Sequence, residues 1–266
     1  MVKTEEEINP NFVAITGSGF SESYGRFFVF VEFWLIGFLL YYVNLPYFMG
    51  CQQYPLLYLI LPLWFYGFFY QIMGLAVLIS MIYIRILWIL HPIKEGLFDL
   101  NGLDFRWYCR RFYAIYLPIY FARAMPLPWV DMFIYRAFGV KTGKNICIYD
   151  GWLDNELIEI GDSVMLSLNG SLMSHCIYKD KFLINKIIVE KNSIIGADAL
   201  VSPGVFVEEG AILGASTSTE IDQRLDGYLT HVGNPAFRKL PIKVQETKVE
   251  KIHDPKAKKE KREEDQ

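Results

Sequence analysis

The C-terminal half of the chain places an aliphatic residue at every sixth position: Val189, Ile195, Val201, Val207 and Leu213. The positions two earlier are Ile187, Ser193, Ala199, Val205 and Ala211, all small or β-branched. An α-helix repeats every 3.6 residues and a strand every 2, so a beat of six fits neither. It predicts a solenoid with triangular coils, in which three short strands per turn each send one aliphatic side chain inward. Gly196 and Gly214 directly follow two of these inward positions.

The same beat runs earlier through Ile160, Leu166 and Leu172, with Ile158, Val164 and Gly170 two residues before them. From Leu172 to Val189 the count is seventeen, so the frame breaks once. The break contains the polar run Ser174 to Lys181, which includes His175. Such an insert must leave the coil, because a buried loop would strand its backbone polar groups. Loops that leave a coil are where sites are built.

The N-terminal half reads differently. No Asp, Glu, Lys, Arg or His occurs from Leu45 to Ile84. One straight helix of that length would span roughly 60 Å, about twice the hydrocarbon core of a bilayer. Pro46, Pro55 and Pro62 argue against a single uninterrupted helix. The pattern predicts a first span near Phe27 to Val43, an uncharged turn from Asn44 to Tyr54, and a second span within Pro55 to Leu90. A third span within that last segment stays open. Glu32 lies near the start of the first span, where snorkelling to the headgroups and a functional role are both open. The stretch Met1 to Arg26 is acidic at Glu5, Glu6 and Glu7 and lacks a cleavage-site pattern, so the spans read as permanent anchors. Arg85, Lys94, Arg106, Arg110, Arg111 and Arg123 follow the second span. Positive charge at a membrane end favours the cytosolic side, and two spans then put both termini and the solenoid there. A third span would place the N-terminus outside.

Asp104 to Gly139 mixes aromatics with cations, as in Phe105-Arg106-Trp107-Tyr108 and Arg110-Arg111-Phe112-Tyr113. This segment is expected to form interfacial helices on the bilayer, a cap over the open end of the coil, or both.

Composition agrees with this division. The 266 residues are 53% hydrophobic and 16% aromatic, with a mean hydropathy of +0.22. A formal net charge of −3 gives no basis for a nucleic-acid partner. Cys51, Cys109, Cys147 and Cys176 show no metal-site or disulfide spacing, consistent with free thiols in the cytosol. The tail from Gln245 onward is rich in Lys and Glu and reads as a solvated extension.

The run Gly233-Asn234-Pro235-Ala236, followed by Phe237-Arg238, resembles the terminator of hexapeptide-repeat acyltransferases. Together with the rungs and the single histidine-bearing break, it extends that resemblance over about Val140 to Leu240. Gly143-Lys144-Asn145, Glu159-Ile160-Gly161-Asp162, and Ser174-His175 followed by Asp180-Lys181 are similar to the membrane-embedded terminal region of polylysine-synthetase-type peptide synthetases. The resemblance implies N-terminal transmembrane helices plus interfacial helices, followed by a C-terminal left-handed parallel β-helix that assembles as a homotrimer. It implies acyl transfer from acetyl-CoA or another acyl-CoA, or from a carrier thioester, with no metal.

By the same resemblance His175 is the general base, a role for which imidazole suits near-neutral pH. Asn169 and Asp180 would orient it or hold the acceptor. Backbone groups of Ala197, Ala215 and Ser216 would meet the pantetheine, and Arg238 the CoA phosphates. The acceptor would be a hydroxyl or amine at the cytosolic membrane face. The segment Ser216 to Arg224 departs from the usual family pattern, which leaves the donor open.

The expected organisation is a tail over 1–26, transmembrane helices over 27–91, interfacial or capping helices over 92–139, the coil over 140–241 and a charged tail over 242–266. One alternative is a non-catalytic, membrane-tethered scaffold, since regular solenoids offer flat faces. A γ-carbonic-anhydrase-like enzyme is the remote alternative. It needs three convergent histidines, whereas His91 borders a span and His253 lies in the charged tail.

Overall fold

The computed structural model describes residues 23–124, 130–154, 157–178 and 181–242. Most of both tails, and Asp180, lie outside the described residues.

Helix α1 (Ser23–Gln53) and helix α2 (Leu61–Leu90) are joined through a 3-10 turn over Pro55–Ile60. Two segments, Phe27–Gln53 and Tyr58–Leu90, are long and apolar enough to cross a membrane. The expected turn at Asn44 is absent, and α1 runs through Pro46 to Gln53. Asn44 is satisfied inside the helix pair instead of ending it. Its amide donates to the Leu40 carbonyl (2.8 Å) and to Gln71 Oε1 (2.9 Å), and its carbonyl accepts from Trp64 Nε1 (2.9 Å).

The buried stripe Glu32, Ile36, Leu40 and Asn44 repeats every fourth residue, so it forms one face of α1. Phe30, Trp34, Phe38 and Tyr42 are exposed on other faces. Glu32 points into the helix pair, where Ser80 Oγ donates to its Oε1 at 2.8 Å.

Helix α3 (Leu103–Arg123) lies between this pair and the coil. Leu117 and Phe121 pack with Ile36, Leu40 and Ala76. Ala114, Ile115, Ile119 and Ala122 instead join Ile134 and Tyr135 of helix α4 (Val130–Ala137) and the coil residues Ile148 and Leu153. Arg123 Nη2 donates to the Gly151 carbonyl at 2.7 Å, and the Tyr135 hydroxyl donates to it at 3.2 Å. The two helices therefore close the open end of the coil, which any solenoid requires.

The coil is a parallel β-solenoid with three faces. Thr142, Ile160, Val189, Val207 and Leu225 stand in register on one face. Ile148, Leu166, Ile195, Leu213 and His231 do so on the second. Leu153, Leu172 and Val201 do so on the third. The five residues that set the six-residue beat are at most 1% exposed.

Each corner adds a second signal. Asn192, Asp198, Gly204, Gly210, Ser216, Asp222 and Tyr228 all have φ between 52° and 78°. They too recur every six residues. This left-handed region suits Gly, Asn and Asp and penalises β-branched residues. Gly196 and Gly214 stack on successive coils, and a Cβ on Gly196 would come 2.6 Å from the Ala215 nitrogen.

The insert at the frame break leaves the coil as expected, then folds back. His175–Tyr178 and Lys181–Ile184 form an antiparallel hairpin, and the strand Gly96–Asp99 that follows α2 pairs with its second arm. Helix α3 covers the sheet through Tyr108 and Cys109, which pack on Phe182 and Ile184. The insert's backbone is thus paired in a sheet, which allows it to be buried.

Candidate active site

His175 opens the first arm of the hairpin, three residues after Leu172 ends the preceding coil strand. Coil stacking sets Leu153 in register with Leu172. The residue after Leu153 is therefore carried to the mouth of the insert, and that residue is Asp154. Its Oδ2 accepts from the Ser174 backbone N–H at 2.8 Å and from the Ser174 hydroxyl at 3.1 Å, and it also contacts His175 Nδ1. Two donors from Ser174 and the ring nitrogen of His175 thus converge on one carboxylate oxygen. A carboxylate oxygen can only accept, so with Asp154 as acceptor the proton of this pair is the one on His175 Nδ1, and Nε2 carries the lone pair. No hydrogen-bond partner of Nε2 lies among the described residues.

His175 is 4% exposed, and its ring is walled by aromatics. Tyr108 lies 5.0 Å away by ring centroids and Phe182 lies 6.0 Å away. The Tyr108 oxygen is 2.6 Å from Nδ1. Beside the ring, Ile93, Tyr108, Arg111, Phe112, Asp154, Leu157 and Ser174 enclose about 10 Å³, room for about one water molecule. Cys176 follows His175, and burial together with the Asp222 charge pushes its thiol up to about 11. It is therefore protonated at neutral pH and unsuited to act as a nucleophile.

Asn169 sits at an exposed left-handed corner, where its Nδ2 donates to Asp198 Oδ1 at 3.2 Å. Among the described residues, Asp154 and Tyr108 are the side chains bonded to the imidazole, rather than Asn169. Ala197 and Ser216 share one edge of the coil, and the Ser216 N–H is engaged at 2.7 Å by the Ala197 carbonyl. Ala215 is exposed on the same edge. Arg238 is exposed and pairs with Val232 in the antiparallel hairpin that ends the coil. His231 takes the inward position of the last rung, opposite Leu213, and its Nε2 meets the Asp226 carbonyl at 3.0 Å.

Sequence reasoning missed Asp154 and Tyr108. The signal for Asp154 was its place beside the rung that precedes the insert. No local signal marks Tyr108, which comes from a helix 67 residues earlier in the chain.

No family model matches the chain. It is 24% identical over 112 residues to YvoF of Bacillus subtilis (strain 168), a protein named as an acetyltransferase by assignment. That match covers 40% of this chain and 65% of the relative, so the chain spans just under two thirds of the relative's length. Among solved structures, a maltose O-acetyltransferase from Clostridium difficile 630 superposes with a TM-score of 0.42 and 18% identity, covering 56% of this chain and 93% of that one. The hexapeptide-repeat acetyltransferase VCA0836 from Vibrio cholerae O1 biovar eltor, complexed with acetyl coenzyme A, gives 0.39 and 16%, covering 54% and 91%.

Proposed function

We propose that the protein is a membrane-anchored acyltransferase of the hexapeptide-repeat type. It moves an acyl group from acyl-CoA to a hydroxyl or amine near the cytosolic membrane face. The observation that carries this reading is His175, bonded at Nδ1 to Asp154 and unpartnered at Nε2 among the described residues, at the hairpin insert that interrupts the coil.

In this reading Nε2 takes the proton of the acceptor as its oxygen or nitrogen attacks the thioester carbonyl carbon. The tetrahedral intermediate collapses with cleavage of the C–S bond. The departing CoA sulfur receives the proton held on Nε2, which returns the imidazole to its starting form. Asp154 holds the tautomer and offsets the imidazolium charge while it exists. Neither a covalent enzyme intermediate nor a metal is needed.

The remaining assignments belong to the same proposal. The coil is left-handed and assembles as a trimer. The acyl-CoA lies along the edge of Ala197, Ala215 and Ser216, with Arg238 near its phosphates. The pantetheine meets backbone groups there other than the engaged Ser216 N–H. Asn169 and Asp180 hold the acceptor in this reading, because Asp154 already orients the ring. Helices α1 and α2 anchor the protein in the bilayer, which concentrates it where membrane-borne acceptors lie.

The test uses the full chain in lipid nanodiscs, incubated with isotope-labelled acetyl-CoA and a membrane lipid extract. Mass spectrometry is expected to show a labelled acyl product and free CoA in equal amounts. CoA release with no acylated product, or no turnover across a series of acyl-CoAs, overturns the reading.

A further inference from the structure

The imidazole of His175 is held by two elements of different origin. Asp154 belongs to the coil. Tyr108 belongs to α3, which packs on Ile36 and Leu40 of α1 and Ala76 of α2 through Leu117. The phenol oxygen lies 2.6 Å from Nδ1, within the range of a strong hydrogen bond. With the shared proton on Nδ1, both the Asp154 carboxylate and the Tyr108 oxygen face the same N–H. The Tyr108 ring is fixed against Phe182 at 4.8 Å and Phe112 at 6.4 Å. Phe182 lies on the second arm of the histidine's own hairpin, which is paired in turn with Gly96–Asp99.

We infer that Tyr108 is a positioning residue for His175, which sets the imidazole from the helical side, so that the base is fully aligned while α3 is docked. The inference rests on the acyl-transfer reading of the site. Its consequence is that the coil alone does not hold a complete base. One of the two groups that orient the ring comes from a helix braced against the membrane-type pair. A side chain that grips the ring edge without touching the acceptor acts on the chemical step and leaves donor binding alone.

The test compares the full-length protein with its Tyr108→Phe variant in detergent micelles, using 15N-histidine labelling and steady-state kinetics. Phe keeps the ring packing and removes only the hydroxyl. The His175 nitrogen resonances are expected to move while those of His231 stay in place. The turnover number is expected to fall about five- to tenfold, the scale of one hydrogen bond, with KM for acyl-CoA unchanged. Unchanged His175 resonances and an unchanged turnover number overturn the inference. So does a rise in KM for acyl-CoA at constant turnover. If Tyr108→Phe does not fold, site-specific 3-fluorotyrosine at position 108 keeps the shape and alters the phenol's acidity. A shift of the His175 signals then supports the inference, and no shift overturns it. The nitrogen readout needs no catalysis, so absence of acyl transfer by the unaltered protein would remove the functional reading while still deciding the role of Tyr108.

Discussion

Asp154 Oδ2 meets His175 Nδ1 across one turn of the coil, and the same oxygen holds the Ser174 backbone N–H at 2.8 Å. One carboxylate thus fixes both the chain direction at the start of the insert and the ring it delivers. Asp154→Asn preserves the shape but can offer an amide where two Ser174 donors and the His175 ring nitrogen converge. It is expected to lower the turnover number by on the order of 10²-fold, the scale of a misaligned catalytic group, with the coil still folded by circular dichroism. An unchanged rate would separate Asp154 from the chemistry.

Cys176 is expected to be a bystander. Its thiol is pushed up to about 11 by burial first and by the Asp222 charge second. The reactive thiolate is therefore scarce at pH 7 and increases as the pH approaches that value. Alkylation followed by peptide mass spectrometry should label the exposed Cys147 well before Cys176. Cys176→Ala should retain acyl transfer. Rapid labelling of Cys176 at pH 7 would contradict this environment.

Ser163 tests the corners. It is exposed with φ 56°, and among the described residues no side-chain bond explains its conformation. Ser163→Val places a β-branched residue in the left-handed region and should destabilise the coil by about 1–2 kcal/mol. Ser163→Gly should be neutral or stabilising. Chemical denaturation distinguishes the two, and equal stabilities would contradict the corner assignment.

The ion pairs on the first coil face predict a pH dependence. Lys141 and Lys186 each lie 2.8 Å from a different oxygen of Glu159 and hold its carboxyl below the usual 4.5. A depressed native value means that the unfolded chain takes up the proton first as the pH falls. The stabilisation is therefore complete above 4.5 and is lost as the pH drops through the lower native value. Glu159→Gln should lower the melting temperature slightly at pH 7, less so in high salt, and the gap should close in acid. A gap that widens on acidification would contradict the sign.

The rungs were legible because interior aliphatics obey a strict geometric period, and Val189 to Leu213 occupy the interior without exception. The apolar helices were legible by length and composition. Their turn was misplaced because a proline inside an apolar run looks like a break until Gln71 and Trp64 are seen to satisfy Asn44. Asp154 was hidden by a slip in the beat. Counting back eighteen from Leu172 lands on Asp154 and would make it an inward residue. The structure instead sets Leu153 inward, so the acid stands beside the insert. Tyr108 was illegible for a different reason. Its contact joins elements 67 residues apart, and neither hydrophobic period nor corner chemistry encodes which helix face covers a hairpin.

The central claim is that His175 takes the acceptor's proton during acyl transfer. The most direct measurement is the rate of labelled acyl product formation from acyl-CoA by the full chain in nanodiscs, set against His175→Ala at equal protein and confirmed fold. The expected result is a loss of at least about 10²-fold in turnover number, the scale of general-base catalysis, with acyl-CoA binding retained by calorimetry. Equal rates for the two proteins would contradict the claim.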